Sequence, residues 1–362
     1  MDLSSIDPVV LMASVIVAST PILLAALGEL VVERAGVLNL GVEGMMITGA
    51  ICGFAIAVNT GSPLLGFAAA AAGGAALSLL FALLTQFALA NQVASGLALT
   101  LFGLGLSALL GQGYVGVKPP PTAALDFGPL TDLPVLGRVL FSHDLMVYVA
   151  LGLVAAVWGF LRFSRAGLIL RAVGESHDAA HALGYKVVRV RVLAIVFGGA
   201  CAGLGGAYIS LARVPQWTEG MTAGAGWIAL ALVVFASWKA GRVLLGAWLF
   251  GGVSVLQLNL QAAGAQFPVA SLGWITLAAC AAYLGYVLWQ RQEISGRTRV
   301  ILGVTAFAGA AFSYWRQGVY VPFQVEYLSM SPYLITIVVL VIMSFDKSRA
   351  PGSLGRIFHA SQ

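Results

Sequence analysis

Charge is scarce in this sequence. Only 9% of its 362 residues are Asp, Glu, Lys or Arg, while 60% are hydrophobic. A soluble globular domain carries about 25% charge, so a water-soluble globule is excluded. Cysteine is nearly absent too. Cys52, Cys201 and Cys280 all lie inside apolar runs, which argues against a disulfide framework or a metal-ligand spacing and makes them small packing residues. None of the four lysines, Lys118, Lys186, Lys239 and Lys347, sits in a G-x-x-x-x-G-K-[ST] loop, and H-E-x-x-H and G-x-S-x-G are missing. The chain therefore lacks the usual means to cradle a nucleotide or to hydrolyse a substrate. It is not expected to be an enzyme, and if it moves a solute uphill the energy comes from another chain. No cation precedes Arg34, so a cleaved signal peptide is not expected and the first apolar run should remain as a span. The formal charge of +5 is not a nucleic-acid signature. Its distribution matters more than its size.

Long apolar runs dominate. Eleven can be read, at roughly 9–28, 37–58, 64–90, 93–113, 144–161, 192–213, 225–238, 243–262, 271–289, 300–315 and 328–345. About 20 apolar residues cross a bilayer as a helix. The fold class is therefore all-α, a polytopic membrane helical bundle of about 9–11 membrane segments. The stretches 37–58 and 225–238 are short or broken by glycine and are expected to enter the membrane without all of them crossing it, which requires protein cover for the backbone. With the N-terminus outside and the C-terminus inside, fifteen of the nineteen cations fall on the inner side, and only Lys118, Arg138, Arg213 and Arg316 remain outside. Cytoplasmic loops carry such an excess, so this orientation is the expected one.

The outer connection 114–143 contains Pro119, Pro120, Pro121, Pro129 and Pro134 and should be stiff and extended, either meeting an external partner or forming plain surface. Within the spans, Gly199-x-x-x-Gly203 predicts close approach of a neighbouring helix.

Polar groups inside the apolar runs are the candidate site residues. Glu43, in Glu33-Arg34-Ala35-Gly36-Val37-Leu38-Asn39-Leu40-Gly41-Val42-Glu43, is costly in lipid and should face protein or a wet cavity. It reads either as a structural carboxylate, the favoured role, or as a substrate contact. Asn39 stands in the same stretch. Asn91 and Gln92 interrupt the third and fourth runs, and Gln257, Asn259 and Gln261 enter late in the eighth. Carboxamides can bond sugar hydroxyls or base edges, and they equally knit helices together. The most charged stretch, Gly174-Glu175-Ser176-His177-Asp178-Ala179-Ala180-His181-Ala182-Leu183-Gly184, suits a short surface helix ending at a glycine cap. His177 and His181 share a face at i, i+4, but no third metal ligand accompanies them, so no metal site is expected.

Gly28-Glu29, Glu33 through Met46, Asn91-Gln92-Val93-Ala94-Ser95-Gly96-Leu97-Ala98-Leu99-Thr100, Arg171 through Tyr208, and Ser331-Pro332-Tyr333-Leu334-Ile335-Thr336 resemble the inner-membrane permeases of nucleoside and simple-sugar ABC importers, of the branched-chain amino acid/sugar permease superfamily. The resemblance covers roughly 1–268 and 328–356. It implies a single permease domain over 1–362, with 162–191 as a cytoplasmic coupling loop and Glu175, Asp178, Ala179, Ala180 and Gly184 docking an ATPase. The family usually has Asn-Pro-Glu where this chain has Ser176-His177-Asp178. It further implies that Asn39, Glu43, Asn91, Gln92, Gln257 and Asn259 line or brace a transport pathway. The stretch 269–327 stands outside the resemblance as an apparent inserted helical hairpin around Arg291, Arg297 and Arg299, with Trp274, Trp289, Trp315 and Tyr320 near its ends. The expected function is the permease subunit of an ATP-driven importer for nucleosides, with a monosaccharide or other small polar solute as the alternative cargo. An ion-coupled secondary transporter is the alternative of another class. The implied partners are a second permease, a cytoplasmic ATPase that alone holds ATP and Mg, an external substrate-binding lipoprotein and membrane lipid, but no nucleic acid polymer. The implied location is the bacterial inner membrane.

Overall fold

The computed structural model describes residues 7–262, 266–289, 296–322, 329–335, 337–338 and 350–358. Two compact units are present. One is built from the described residues of Ile6–Val255 and Pro332–Gln362, the other from those of Leu256–Ser331.

In the first unit, α1 (Pro8–Arg34) begins where the Asp7 carboxylate accepts the Val9 N–H and Pro8 supplies a first residue that needs no donor. Its 27 residues extend about 40 Å, enough to cross a bilayer. Helices α6 (Leu145–Phe163) and α9 (Val187–Tyr208) pack on it, α2 (Val42–Thr60) and α3 (Pro63–Ala82) pack on α9, α4 (Gln92–Gly111) packs on α2, and α5 (Leu136–Leu140) lies in the proline-rich connection. From Ile16 to Glu33, α1 is almost wholly buried, and α9 packs against α1, α2 and α3. A Cβ on Gly203 would strike the Ala70 carbonyl, and one on Gly199 would strike Ser78. The glycine pair thus lets α3 lie directly on α9, the close approach its spacing predicts.

Among the described residues, seven helices are long and apolar enough to span a membrane, the seventh being α11 (Ala240–Ala262). Ala225–Phe235 (α10) is a shorter apolar helix, and Ile301–Trp315 is the apolar part of the 20-residue helix Gly296–Trp315. The described part of the predicted 9–11 segments therefore comprises seven membrane-length helices, α10 and the two helices Ser271–Trp289 and Gly296–Trp315. The 11 residues of α10 extend only about 16 Å, half the hydrocarbon thickness. The run at 37–58 also divides: residues 35–41 form a turn with Gly36 at φ +83°, and the helix starts at Val42. Half of the run at 328–345 lies outside the described residues, as do Arg291, Lys347 and Arg349 and the side chains of Trp289, Arg297, Arg299 and Tyr320.

The ends of α1 define the two ends of this unit. At its start, Asp7 pairs with Arg138 at 3.7 Å. At its finish, the Arg34 side chain donates to the Trp238 carbonyl at 2.8 and 3.2 Å. In the second unit, α12 (Ser271–Trp289) packs on α13 (Gly296–Trp315). Gly273 meets the Gly309 carbonyl there, and antiparallel β1 (Gln266–Pro268) and β2 (Tyr320–Pro322) close the hairpin.

Candidate functional site

The charged stretch between α6 and α9 folds as two helices, α7 (Arg165–Glu175) and α8 (His177–Ala182), where the sequence suggests one. Ser176 divides them. Its backbone is extended at φ −152°, and its hydroxyl accepts the Ala179 N–H at 3.3 Å as the cap of α8. Asp178 makes no cap to this helix start, a task that falls to Ser176. Its own side chain is 81% exposed and lies 3.4 Å from His177 Nε2. Gly184 leaves the helix at φ +86°, a conformation only glycine adopts without strain. The two alanines part company: Ala179 is exposed, whereas Ala180 is 2% exposed and clusters with Val173, Val187 and Phe358.

Phe358 belongs to a segment that sequence reasoning missed. Residues 350–358 lie across this corner. Ser353 N donates to the Gly174 carbonyl at 2.8 Å, and Ser353 Oγ accepts the His177 N–H at 3.0 Å. The Phe358 ring makes edge contacts with both His177 and His181, at centroid distances of 5.4 and 5.2 Å. The i, i+4 histidines, read from sequence as a solvated face, therefore grip a ring, and His177 is buried. No group of three or more metal-ligating side chains occurs among the described residues.

Arg191 ties the corner to the rest of the bundle. It is fully buried and donates to the Ala35 and Arg356 carbonyls at 3.3 and 3.1 Å. Its Nη2 lies 3.3 Å from His177 Nδ1. Because a guanidinium only donates, Nδ1 must accept and the ring proton must reside on Nε2, facing Asp178. Burial, Arg191 and Arg356 together hold the His177 pKa below its ordinary value, against the opposing pull of Asp178.

Deeper in the fold lies a second polar constellation. Glu43, in the first turn of α2, is 4% exposed. Its Oε1 accepts from Thr222 Oγ1 and its Oε2 from the Gly226 N–H, both at 2.8 Å. Gly226 is the second residue of α10, so the carboxylate meets the positive ends of two helices at once. A Cβ on Gly226 would collide with the Glu43 backbone, so glycine is what allows the two helix starts to meet. Asn39 accepts the Gly41 N–H at 3.0 Å, and its own N–H lies 3.3 Å from Glu29 Oε1. Gln92 accepts the Leu38 N–H at 2.8 Å and donates to the Arg356 carbonyl at 3.3 Å. Asn91 caps α4 through Ala94 N.

These bonds bring Asn39 and Gln92 to the turn that enters α2. Gln257 and Asn259 are half-buried on α11 in the other unit. Two residues that sequence reasoning passed over complete the arrangement. Glu33 and Trp238 share a 2.6 Å bond from the indole N–H. Ser237 and Trp238 stand at φ +50° and +55°, where side-chain-bearing residues are strained, and the Glu33 and Arg34 side chains hold that bend in place. Only a contact 204 residues apart in sequence identifies it.

The chain's likenesses agree with this architecture. A family described as "Branched-chain amino acid transport system / permease component" matches residues 11–271, ending where α12 begins. A protein of Haloferax volcanii named as a candidate glucose ABC transporter permease, TsgC13, is 46% identical over 255 residues, covering 69% of this chain and 78% of the relative. The guanosine ABC transporter permease protein NupQ of Bacillus subtilis is 32% identical, covering 71% of this chain and 84% of its own. The nucleoside ABC transporter permease protein NupC of Lactococcus lactis is 30% identical, covering 72% and 84%. No solved structure matches the chain significantly. With a multi-pass helical bundle and a family match across most of its length, this chain belongs to the permease components of branched-chain amino acid-type ABC transport systems.

Proposed function

We propose that the chain is one of two permease subunits of an ATP-driven importer whose cargo carries a sugar ring, a free monosaccharide first and a nucleoside second. The carrying observation is the 46% identity to the candidate glucose permease over 255 residues. The nucleoside reading retains support from two relatives at 32% and 30%. Both cargo classes are uncharged and rich in hydroxyls, so a pathway that offers carboxamides and hydroxyls without a fixed charge suits either. The carboxylate of Glu43 is taken up by Thr222 and Gly226, which assigns it to bracing and leaves little for a coupling ion to bind.

In this reading α8 docks on a cytoplasmic ATPase, which holds ATP and Mg. Its exposed side is formed by Asp178 and Ala179, with exposed Glu175 beside it at the end of α7. Ala180, Phe358 and Arg191 stiffen it from behind, so displacement of α8 passes into α1 and α9 through packed side chains and hydrogen bonds. An external binding lipoprotein delivers cargo at the opposite end, in the cytoplasmic membrane. The test is to purify the chain with its associated subunits and identify the ligand on the binding protein, using glucose and guanosine as probes. Glucose binding with no guanosine binding supports the sugar reading. The reverse result moves the assignment to nucleosides, and binding of neither removes the sugar-ring class.

A further inference from the structure

Arg34 at the end of α1, Arg162 at the end of α6, Arg171 on α7, and Lys239 and Arg242 at the turn into α11 line one cleft of about 590 Å³. Five cations share this space. Among the described residues, Arg34, Arg162, Arg171 and Lys239 have no carboxylate within 4 Å. Arg34 and Arg171 repel one another, and Glu175 partly offsets Arg34. Arg171 Nε is buried with no hydrogen-bond partner among the described residues. Arg242 is engaged, donating to Ser237 Oγ at 3.3 Å, and the other four like charges in a half-buried cleft are unfavourable until an anion joins them.

We propose that this cleft binds the phosphate headgroup of an anionic phospholipid. The position of the cleft selects a lipid over a dissolved ion. Three of its walls are the ends of membrane-length helices, so it opens at the level of the headgroups. Trp158, 48% exposed, and Trp238 also line it, and tryptophan favours that level. Arg162 lies over the Trp158 and Phe163 rings at 5.8 and 5.7 Å, which leaves its guanidinium edge able to donate to phosphate. A separate apolar cleft of about 390 Å³, lined by Val31, Val157, Phe160 and Leu170 among others, opens between α1, α6, α7 and α9 and is suited to acyl chain. Basic pockets between membrane helices on the cytoplasmic side recognise such headgroups. The inference needs only that these helices span the membrane and is independent of the cargo.

The full chain, purified in mild detergent, would be titrated with fluorescent phosphatidylglycerol and phosphatidylcholine, with inorganic phosphate as competitor. Two double variants target the cleft: Arg171→Gln with Lys239→Gln, and the fully surface pair Arg162→Gln with Lys239→Gln. A Lys186→Gln, Arg189→Gln control removes the same charge from exposed positions outside the cleft. The expected result is preference for phosphatidylglycerol, weakened about tenfold or more by either cleft pair and little changed by the control. Equal weakening by cleft and control pairs would overturn the site. Full displacement by millimolar phosphate, without preference between the two lipids, would overturn the lipid source. Cleft variants that keep lipid but shed a copurifying ATPase would make the cleft a protein contact and also overturn the proposal.

Discussion

At the scale of single residues, Ala180 packs with Val173, Val187 and Phe358 while its neighbour Ala179 faces outward. The same bulky substitution should therefore separate folding from docking. Ala180→Trp overfills a buried position and should cost about 1–3 kcal/mol of stability, read as a lower midpoint of thermal unfolding in detergent. Ala179→Trp should leave that midpoint unchanged and release the ATPase from the purified complex. Equal midpoints for both variants would contradict the inward placement of Ala180. Glu43 gives a second pair. Glu43→Gln can still accept one bond and fill the site, whereas Glu43→Ala leaves the Thr222 hydroxyl and the Gly226 N–H without their acceptor, a penalty of about 1–3 kcal/mol per buried group. Expression and unfolding should be nearer to wild type for Gln than for Ala, and an equal loss would mean that the charge itself is required. The need for protein cover at Glu43 was legible in the sequence, because an acid between glycines in an apolar run has few other solutions. Its partners were not, since Thr222 and Gly226 lie some 180 residues away.

At the scale of elements, the segment 350–358 is the brace on α8. Its grip depends on a neutral His177 that accepts from Arg191. The folded pKa of His177 lies below the ordinary histidine value of about 6.5, so in acid His177 binds the proton more readily when it is released from this contact than when it is held in it. This contribution to stability is complete above pH of about 6.5 and is lost as pH falls through the lowered value. Protection of residues 350–358, taken as the intrinsic exchange rate divided by the observed rate at each pH, should fall on acidification, and His177→Gln should flatten the response. Protection in the wild type that does not change across this range would contradict the tautomer assigned here. The stretch proposed to dock the ATPase was visible in sequence as an island of charge, and its glycine exit at Gly184 was read correctly from local chemistry. The break at Ser176 was not foreseen, although serine is a strong helix cap, because the apolar and alanine pattern runs through it. The brace could not be read locally, because it sets the end of the chain against its middle, 176 residues away. Elsewhere, α12 and α13 form a hairpin with its own close Gly273–Gly309 contact. Deleting 269–327 and joining Pro268 to Leu328 should leave substantial uptake in a chain that still assembles. Loss of uptake with intact assembly would give the hairpin a part in transport.

At the scale of the whole molecule, the helical class followed from the long apolar runs, which have no other stable form in a bilayer. The short reach of α10 was legible as well, because the apolar run 225–238 is itself too short to cross a bilayer as a helix. The unequal cation distribution gives an orientation that can be checked directly. Single cysteines at Ser176 and at Thr122, in a cysteine-free background, should label from the inner and outer sides respectively. The central claim is that this chain conducts its cargo only when an ATPase works through α8. Its most direct measurement is uptake of labelled cargo into vesicles reconstituted with the purified transporter, with and without ATP, for the wild type and Ala179→Trp. The account predicts ATP-dependent uptake by the wild type and none by a variant that folds normally but has lost its ATPase. Uptake that continues without ATP, or in the Ala179→Trp variant after the ATPase is gone, would contradict it.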